Sequence, residues 1–248
     1  QRRPIAEGRR GAAQKRRDPF VDAGGLEECL PTIRGVPDHG SVWSRPWSDL
    51  GDGWATVATE DFRLERHLAG DGTAVRASYR LRAAPGYRFL WAAHALLELS
   101  TSARVEFAEG TPVRLYREAS PYVSTTWPDC DGVDVGRLGE IDGTATGAVV
   151  VGADRAVVHD AADALELRLV APGLPTSVAV WRNLGGFPED EPYRSIGIEP
   201  MLGAVFDLAD ADGDDDAVSV PASGLVTWEL QLVGRPARGC GEEVPTPC

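Results

Sequence analysis

Long apolar runs are missing from this chain. No stretch approaches the roughly 18 consecutive apolar residues that a membrane-crossing helix requires, so no membrane partner is expected. Lysine is almost absent: Lys15 is the only one, and the formal net charge is −13. Such a balance excludes a general nucleic-acid binder, because phosphate contacts need a basic face. The exception is residues 1–17, with six arginines and one lysine, read here as a solvated surface stretch. The same N-terminus lacks an apolar core of the kind a secretory signal carries, so the expected location is cytoplasmic. None of the four cysteines, Cys29, Cys130, Cys240 and Cys248, forms a C-x-x-C pair, and no histidine stands at zinc-finger spacing. A structural zinc site is therefore not expected, and free thiols are the plainer reading, although Cys240 and Cys248 are spaced to close a small loop. Amphipathic helices of more than two turns are lacking as well.

What remains is strand upon strand. Segments such as WATVATE, FRLERHLAG, AVRASYRLRA and YRFLWAAHALLEL are rich in β-branched and aromatic residues, separated by GDG at 51–53, GDG at 70–72 and APG at 84–86. FRLERHL and VRASYRLR alternate apolar with charged side chains, as strands with one wet face do. The pattern continues through RVEFAEG, PVRLYREAS, ATGAVVVGA, ALELRLVA, TSVAVWRNLGG, SIGIEPMLG and LVTWELQLVG. Many short strands with Gly/Pro turns imply an all-β protein, a large antiparallel β-sandwich, with residues 1–248 taken as a single domain. The acidic run DLADADGDDD (207–216) fails the calcium-loop template and reads as a solvated loop.

Three places put titratable groups into segments that otherwise look structural. In PDHGSVWSRPW (37–47), Asp38 and His39 precede Trp43 and Trp47; hydrogen-bonding groups beside aromatic faces suit a pyranose, which has an apolar C–H face and a rim of hydroxyls. The alternative is a loop histidine with core tryptophans. In FLWAAHALLELS (89–100), His94 interrupts an apolar run. It is either a core histidine or a group that titrates near neutrality and exchanges a proton. In VAVWRNLGGFPEDEPYRSIGIEPMLG (178–203), Glu199 sits on an apolar strand, where a carboxylate is either paired or has its pKa raised towards that of a general base. The adjoining Pro200 suggests a strand end or sheet edge.

The order of these segments resembles the galactose mutarotase-like, or aldose 1-epimerase, family from about residue 24 (GGLEECLPTI) to about residue 234, in its uncharacterised bacterial branch. DHGSVW is similar to the segment whose histidine contacts the sugar, which points to His39. WAAHALL resembles the strand bearing the general acid, His94, and GIEPM the late glutamate–proline that supplies the base, Glu199. WRNLGGF is similar to a W-x-n-x-G-G segment. On this resemblance the family's opening strands, with an arginine-bearing segment, are expected to be missing or altered here. Its sugar-holding aspartate has no clear counterpart, Asp129 and Asp131 in TTWPDCDGVD being the substitutes considered.

The resemblance implies a galactose mutarotase-like supersandwich that opens and recloses an aldose ring, with no metal or organic cofactor. The expected substrate-side residues are His39 and Asp38, with Trp43, Trp127 or Trp181 as stacking faces, and Asp129. The alternative is a non-catalytic sugar-binding or sugar-sensing protein on the same fold, in which Arg182 and Arg194 take an anionic sugar. A lyase or hydrolase would need a second carboxylate across the cleft, and none stands out.

Overall fold

In the computed structural model, residues 25–117, 121–190 and 192–236 are described. The basic stretch 1–17 and the Cys240–Cys248 pairing fall outside them. The strands, in chain order, begin with β1 (Gly25–Cys29), β2 (Ser48–Gly51), β3 (Trp54–Ala58), β4 (Phe62–Asp71), β5 (Ala74–Ala83), β6 (Arg88–Phe89) and β7 (Trp91–Leu97). Then come β8 (Arg104–Glu106), β9 (Pro112–Arg117), β10 (Val123–Thr126), β11 (Asp129–Cys130), β12 (Val133–Asp134) and β13 (Ala145–Val151). The last are β14 (Arg155–Asp160), β15 (Asp163–Val170), β16 (Thr176–Leu184), β17 (Arg194–Leu202), β18 (Val218–Ser219) and β19 (Leu225–Pro236). Among the described residues the only helical element is a 3-10 turn, Leu208–Asp210.

All strand pairs are antiparallel, and two sheets carry the fold. One runs β1-β7-β17-β16-β13-β9-β10, the other β2-β3-β4-β5-β19-β15-β14-β8. Two ribbons, β11-β12 and β18-β6, complete the set. The all-β sandwich expected from period-two alternation is what the chain adopts. Strand β5 shows why: Ala77, Tyr79 and Leu81 are buried while Arg76, Arg80 and Arg82 point to water.

Two apolar clusters lie between the sheets. One joins Tyr79, Leu81, Trp228 and Leu230 to Trp91, Ala93 and Leu202, and the other joins Leu167 and Val158 to Val178, Val180 and Ile198. A third cluster lies on the opposite face of the seven-stranded sheet, the outer one. It comprises Cys29, Ala92, Tyr116, Val149, Ala179 and Met201, covered by Val205, Phe206, Ala211 and Ala217. The covering segment contains the acidic run, and here the structure corrects the reading of it as solvated throughout. Asp210, Asp212, Asp214 and Asp215 are exposed, but Asp216 is buried, 2.6 Å from Arg114 and accepting from the Gly213 N–H at 2.8 Å. Burial pushes the Asp216 carboxyl up; its Gly213 bond and Arg114 more than reverse this and hold it low.

Pro200 is a second correction. It lies at no edge: β17 is interior, between β7 and β16. Pairing with β16 is continuous, Pro200 facing Val178. Pairing with β7 holds at Ile196–Leu97 and Gly197–Leu96 and again at Met201–Ala92 and Leu202–Trp91, but not between. The register sets Pro200 opposite Ala93 and Glu199 opposite His94. Proline has no N–H for the ladder, so the interruption falls there.

Candidate functional site

Alternation decides which residues share the outer face of the seven-stranded sheet. From β7 it receives Ala92 and His94, from β17 Gly197, Glu199 and Met201, and from β16 Ala179 and Trp181, since their neighbours Ala93, Ile198 and Val180 are in the interior. His94 and Glu199 thus meet across the interrupted ladder, with Nε2 3.7 Å from Oε1. Both are buried. Burial pushes the Glu199 carboxyl up, and His94 only partly offsets it.

Gly197 makes this approach feasible. A Cβ on it would lie 2.5 Å from Glu199 Oε1, so the carboxylate occupies space that any other residue would fill. On the far side of Gly197 stands Trp181, its register partner on β16. Trp181 therefore borders Glu199 and presents a half-buried indole to the same face.

His39 reaches the pair from the turn after β1. The turn is tied down by Ser41 N–H to Leu30 O (2.7 Å), His39 N–H to Ile33 O (2.9 Å) and Gly40 N–H to Pro37 O (2.9 Å). His39 itself has φ 59°, a left-handed conformation uncommon outside glycine, and Gly40 follows at φ 74° against the Leu30 backbone. This puts the His39 ring edge-to-face with His94, centroids 4.9 Å apart. Asp38 Oδ1 lies 3.1 Å from His39 Nδ1. Burial raises the Asp38 carboxyl, and the contact with His39 more than reverses it. Side-chain exposure falls from 55% at Asp38 to 17% at His39, 9% at His94 and 4% at Glu199. The four residues form an array running inward from solvent, with the carboxylate of highest pKa at its inner end.

Of the residues nominated from sequence, the structure brings together His94, Glu199, His39, Asp38 and Trp181. Trp43 braces the turn by donating its indole N–H to Asp38 O at 3.1 Å. The others lie elsewhere. Trp127 is buried in the interior cluster, edge-on to Phe107, because an indole packed between sheets leaves no face for a ligand. Asp129 accepts from Gly132 N–H at 2.9 Å within its own turn. Arg182 follows Trp181 on β16 and so takes the opposite side, donating to Arg137 O (2.8 Å) and Thr144 Oγ1 (3.2 Å). Arg194, the other arginine considered for an anion, donates to Gly139 O, Leu99 O, Ser100 O and Leu138 O. Asp131 is paired with Arg117 at 3.0 Å.

The sequence reading missed Glu27, paired in register with His94 on β1, and Cys29, a buried free thiol on the same face. Strand alternation was the available signal for both, once β1 was known to border β7. Among the described residues, no three His, Cys, Asp or Glu side chains cluster so as to hold a metal ion, and no helix is long and apolar enough to cross a membrane.

No protein-family model matches the chain, and no curated protein matches its sequence. Solved structures do. A candidate aldose 1-epimerase from Escherichia coli K12 superposes with TM-score 0.65 at 13% identity, over 86% of this chain and 84% of that one. A galactose mutarotase-like protein from Clostridium acetobutylicum gives TM-score 0.55 at 10% identity, over 80% and 69%. A galactose mutarotase related enzyme from Lactobacillus acidophilus gives 0.54 at 12%, over 84% and 76%. The chain has the galactose mutarotase-like β-sandwich fold.

Proposed function

We propose that this protein interconverts the α and β anomers of a small free aldose by general acid–base ring opening, with Glu199 as base and His94 as acid. One observation carries the reading: the buried Glu199 carboxylate and the His94 imidazole approach to 3.7 Å on one sheet face, reached by the His39 turn. The fold agrees, being shared with proteins named for this chemistry.

The short separation suits the reaction. Mutarotation acts on two oxygens bonded to one carbon, the anomeric hydroxyl and the ring oxygen, which lie closer together than any hydrogen-bonded pair. An acid and a base in near contact can address both from one side, with the sugar ring lying across the pair rather than between them. Glu199 takes the proton of the anomeric hydroxyl while His94 gives one to the ring oxygen. The bond between that oxygen and the anomeric carbon breaks, leaving an aldehyde and a hydroxyl. Rotation about the adjoining carbon–carbon bond turns the aldehyde over. The hydroxyl oxygen then attacks the other face, returns its proton to His94, and the former carbonyl oxygen recovers the proton held by Glu199. Each partner typically contributes about 10²–10⁴-fold. A carboxylate raised by burial is better matched to taking a proton near neutral pH than an exposed one. His39, anchored by Asp38, orients sugar hydroxyls, and Trp181 offers an apolar face.

Arg182 and Arg194 are committed to main-chain carbonyls, which removes the anionic-sugar alternative's residues. The test is optical rotation of fresh α-glucose and α-galactose with wild type, His94→Ala and Glu199→Gln. Loss of catalysis in both variants is expected. Equal rates in all three would overturn the reading.

A further inference from the structure

Strand β1 carries two consecutive glutamates with opposite fates. Glu28 turns inward and is buried, its Oε1 2.5 Å from Arg66 Nη1 and accepting from the Tyr79 hydroxyl at 3.1 Å. Glu27 therefore turns outward, onto the face that bears the acid and base, and is only half-buried. Its register partner on β7 is His94, and His94 in turn lies opposite Glu199 on β17. Glu27, His94 and Glu199 form one row across three adjacent strands, with the imidazole in the middle. Side chains opposite one another in such a row have Cβ atoms about 4.5–5.5 Å apart. Cys29, two residues along β1, reflects the same surroundings. Burial above all pushes its thiol up, and Glu199, Glu27, Asp38 and Glu28 add to this in that order.

We propose that Glu27 is a positioning residue that holds the His94 imidazole protonated and turned towards Glu199, so that His94 acts as the acid of the pair. The proposal rests on the acid–base reading above and assigns Glu27 no contact with substrate. One proton shared by a buried carboxylate and imidazole can be placed in two ways, as an ion pair or as two neutral groups. Burial favours the neutral arrangement, because both charges lose water. That arrangement exchanges the two roles, since a protonated Glu199 can give a proton but not take one. A second carboxylate nearer to His94 than to Glu199 tips the balance towards imidazolium and carboxylate. Among the described residues, the titratable groups facing His94 are Glu27 and Cys29 from β1, Glu199 from β17, and Asp38 with His39 from the turn, with Arg34 acting on Asp38 beyond them. The carboxylates in this set outnumber the groups that can carry positive charge.

The experiment follows the His94 ring by NMR titration in wild type, Glu27→Gln and Glu27→Asp. The chain has four histidines, and the His94 signal is the one missing in His94→Ala. Removing a charge one strand away in half-buried surroundings is expected to lower the His94 titration by about one pH unit, a tenfold change in its ionisation equilibrium. The alkaline limb of the mutarotation pH profile moves down with it. Glu27→Asp keeps the charge on a shorter stem and shifts less in the same direction. It also serves as the reading if Glu27→Gln does not fold. An unchanged His94 titration in either folded variant overturns the proposal. A shifted titration in a protein that does not mutarotate supports Glu27's hold on the proton and refutes the reaction instead, so the two failures are distinguishable.

Discussion

Gly197→Ala displaces Glu199, the proposed base, without touching its chemistry. The glycine sits two residues before Glu199 on β17, facing the same way, and its φ is in the ordinary range. An added methyl would lie 2.5 Å from Glu199 Oε1 and 3.1 Å from Trp181 Cβ, against an ordinary contact of 3.4–4 Å. Trp181 is held by β16, so the carboxylate yields, retreating by roughly 1 Å. Misplacement of a reacting group on that scale costs about 100-fold in rate. Alanine has less conformational freedom than glycine in the unfolded chain, which favours the folded state by about 0.4–1 kcal/mol and offsets part of the crowding. The expected result is a folded protein, with a urea midpoint near wild type, whose kcat/KM for mutarotation falls about 100-fold by polarimetry. Full activity in Gly197→Ala would refute the placement of Glu199 as base. A loss of activity that tracks loss of fold would refute the claim that the site alone is disturbed.

Two further outcomes follow from the same geometry. Because burial raises the Glu199 carboxyl in the folded state, the native protein binds more protons than the unfolded one just above the ordinary carboxylate range. Wild-type stability should therefore fall as pH rises from about 4.3 through the raised value. Glu199→Gln should be more stable than wild type at pH 7–8 and indistinguishable near pH 4 by thermal melts; equal stability at both pH values contradicts a raised carboxyl. Arg194→Lys keeps the charge but loses the fork that reaches four carbonyls at 2.6–3.1 Å. A loss of about 2 kcal/mol is expected by urea unfolding, discounting for the exposed bond to Ser100, with KM for a neutral sugar unchanged. Weaker sugar binding without loss of stability would return Arg194 to the site.

The architecture was legible because alternation is a strong signal where one sheet face is wet. AVRASYRLRA is a strand over the very residues read for it, Ala74–Ala83. That His39, His94 and Glu199 come together was legible in the order of segments, less so which neighbours join them, and alternation explains both the errors and the omission. Trp181 and Arg182 are consecutive on one strand, so period two forbids both from facing one ligand. Glu27 and Glu28 pose the same problem in reverse: one of them had to face out, but only the pairing of β1 with β7 decides which. Trp127 looked like a stacking face because an indole's sequence neighbourhood does not distinguish a cleft from a core. Pro200 misled for a physical reason too. A missing N–H is usually tolerated at an edge, and here it is tolerated inside the sheet because only one of the two flanking ladders is interrupted.

That interruption has a mechanical consequence. His94 and Glu199 stand on strands whose main chains are bonded to one another above and below them but not between them. The spacing of the pair is therefore softer on that one side. A small displacement of Glu199 relative to His94 stretches no bond between β17 and β7 at that point, while the β16 ladder holds Glu199 and the β1 ladder holds His94. If Glu199 and His94 act as proposed, a pair that tightens on two oxygens and then releases them sits where one ladder of the sheet is interrupted.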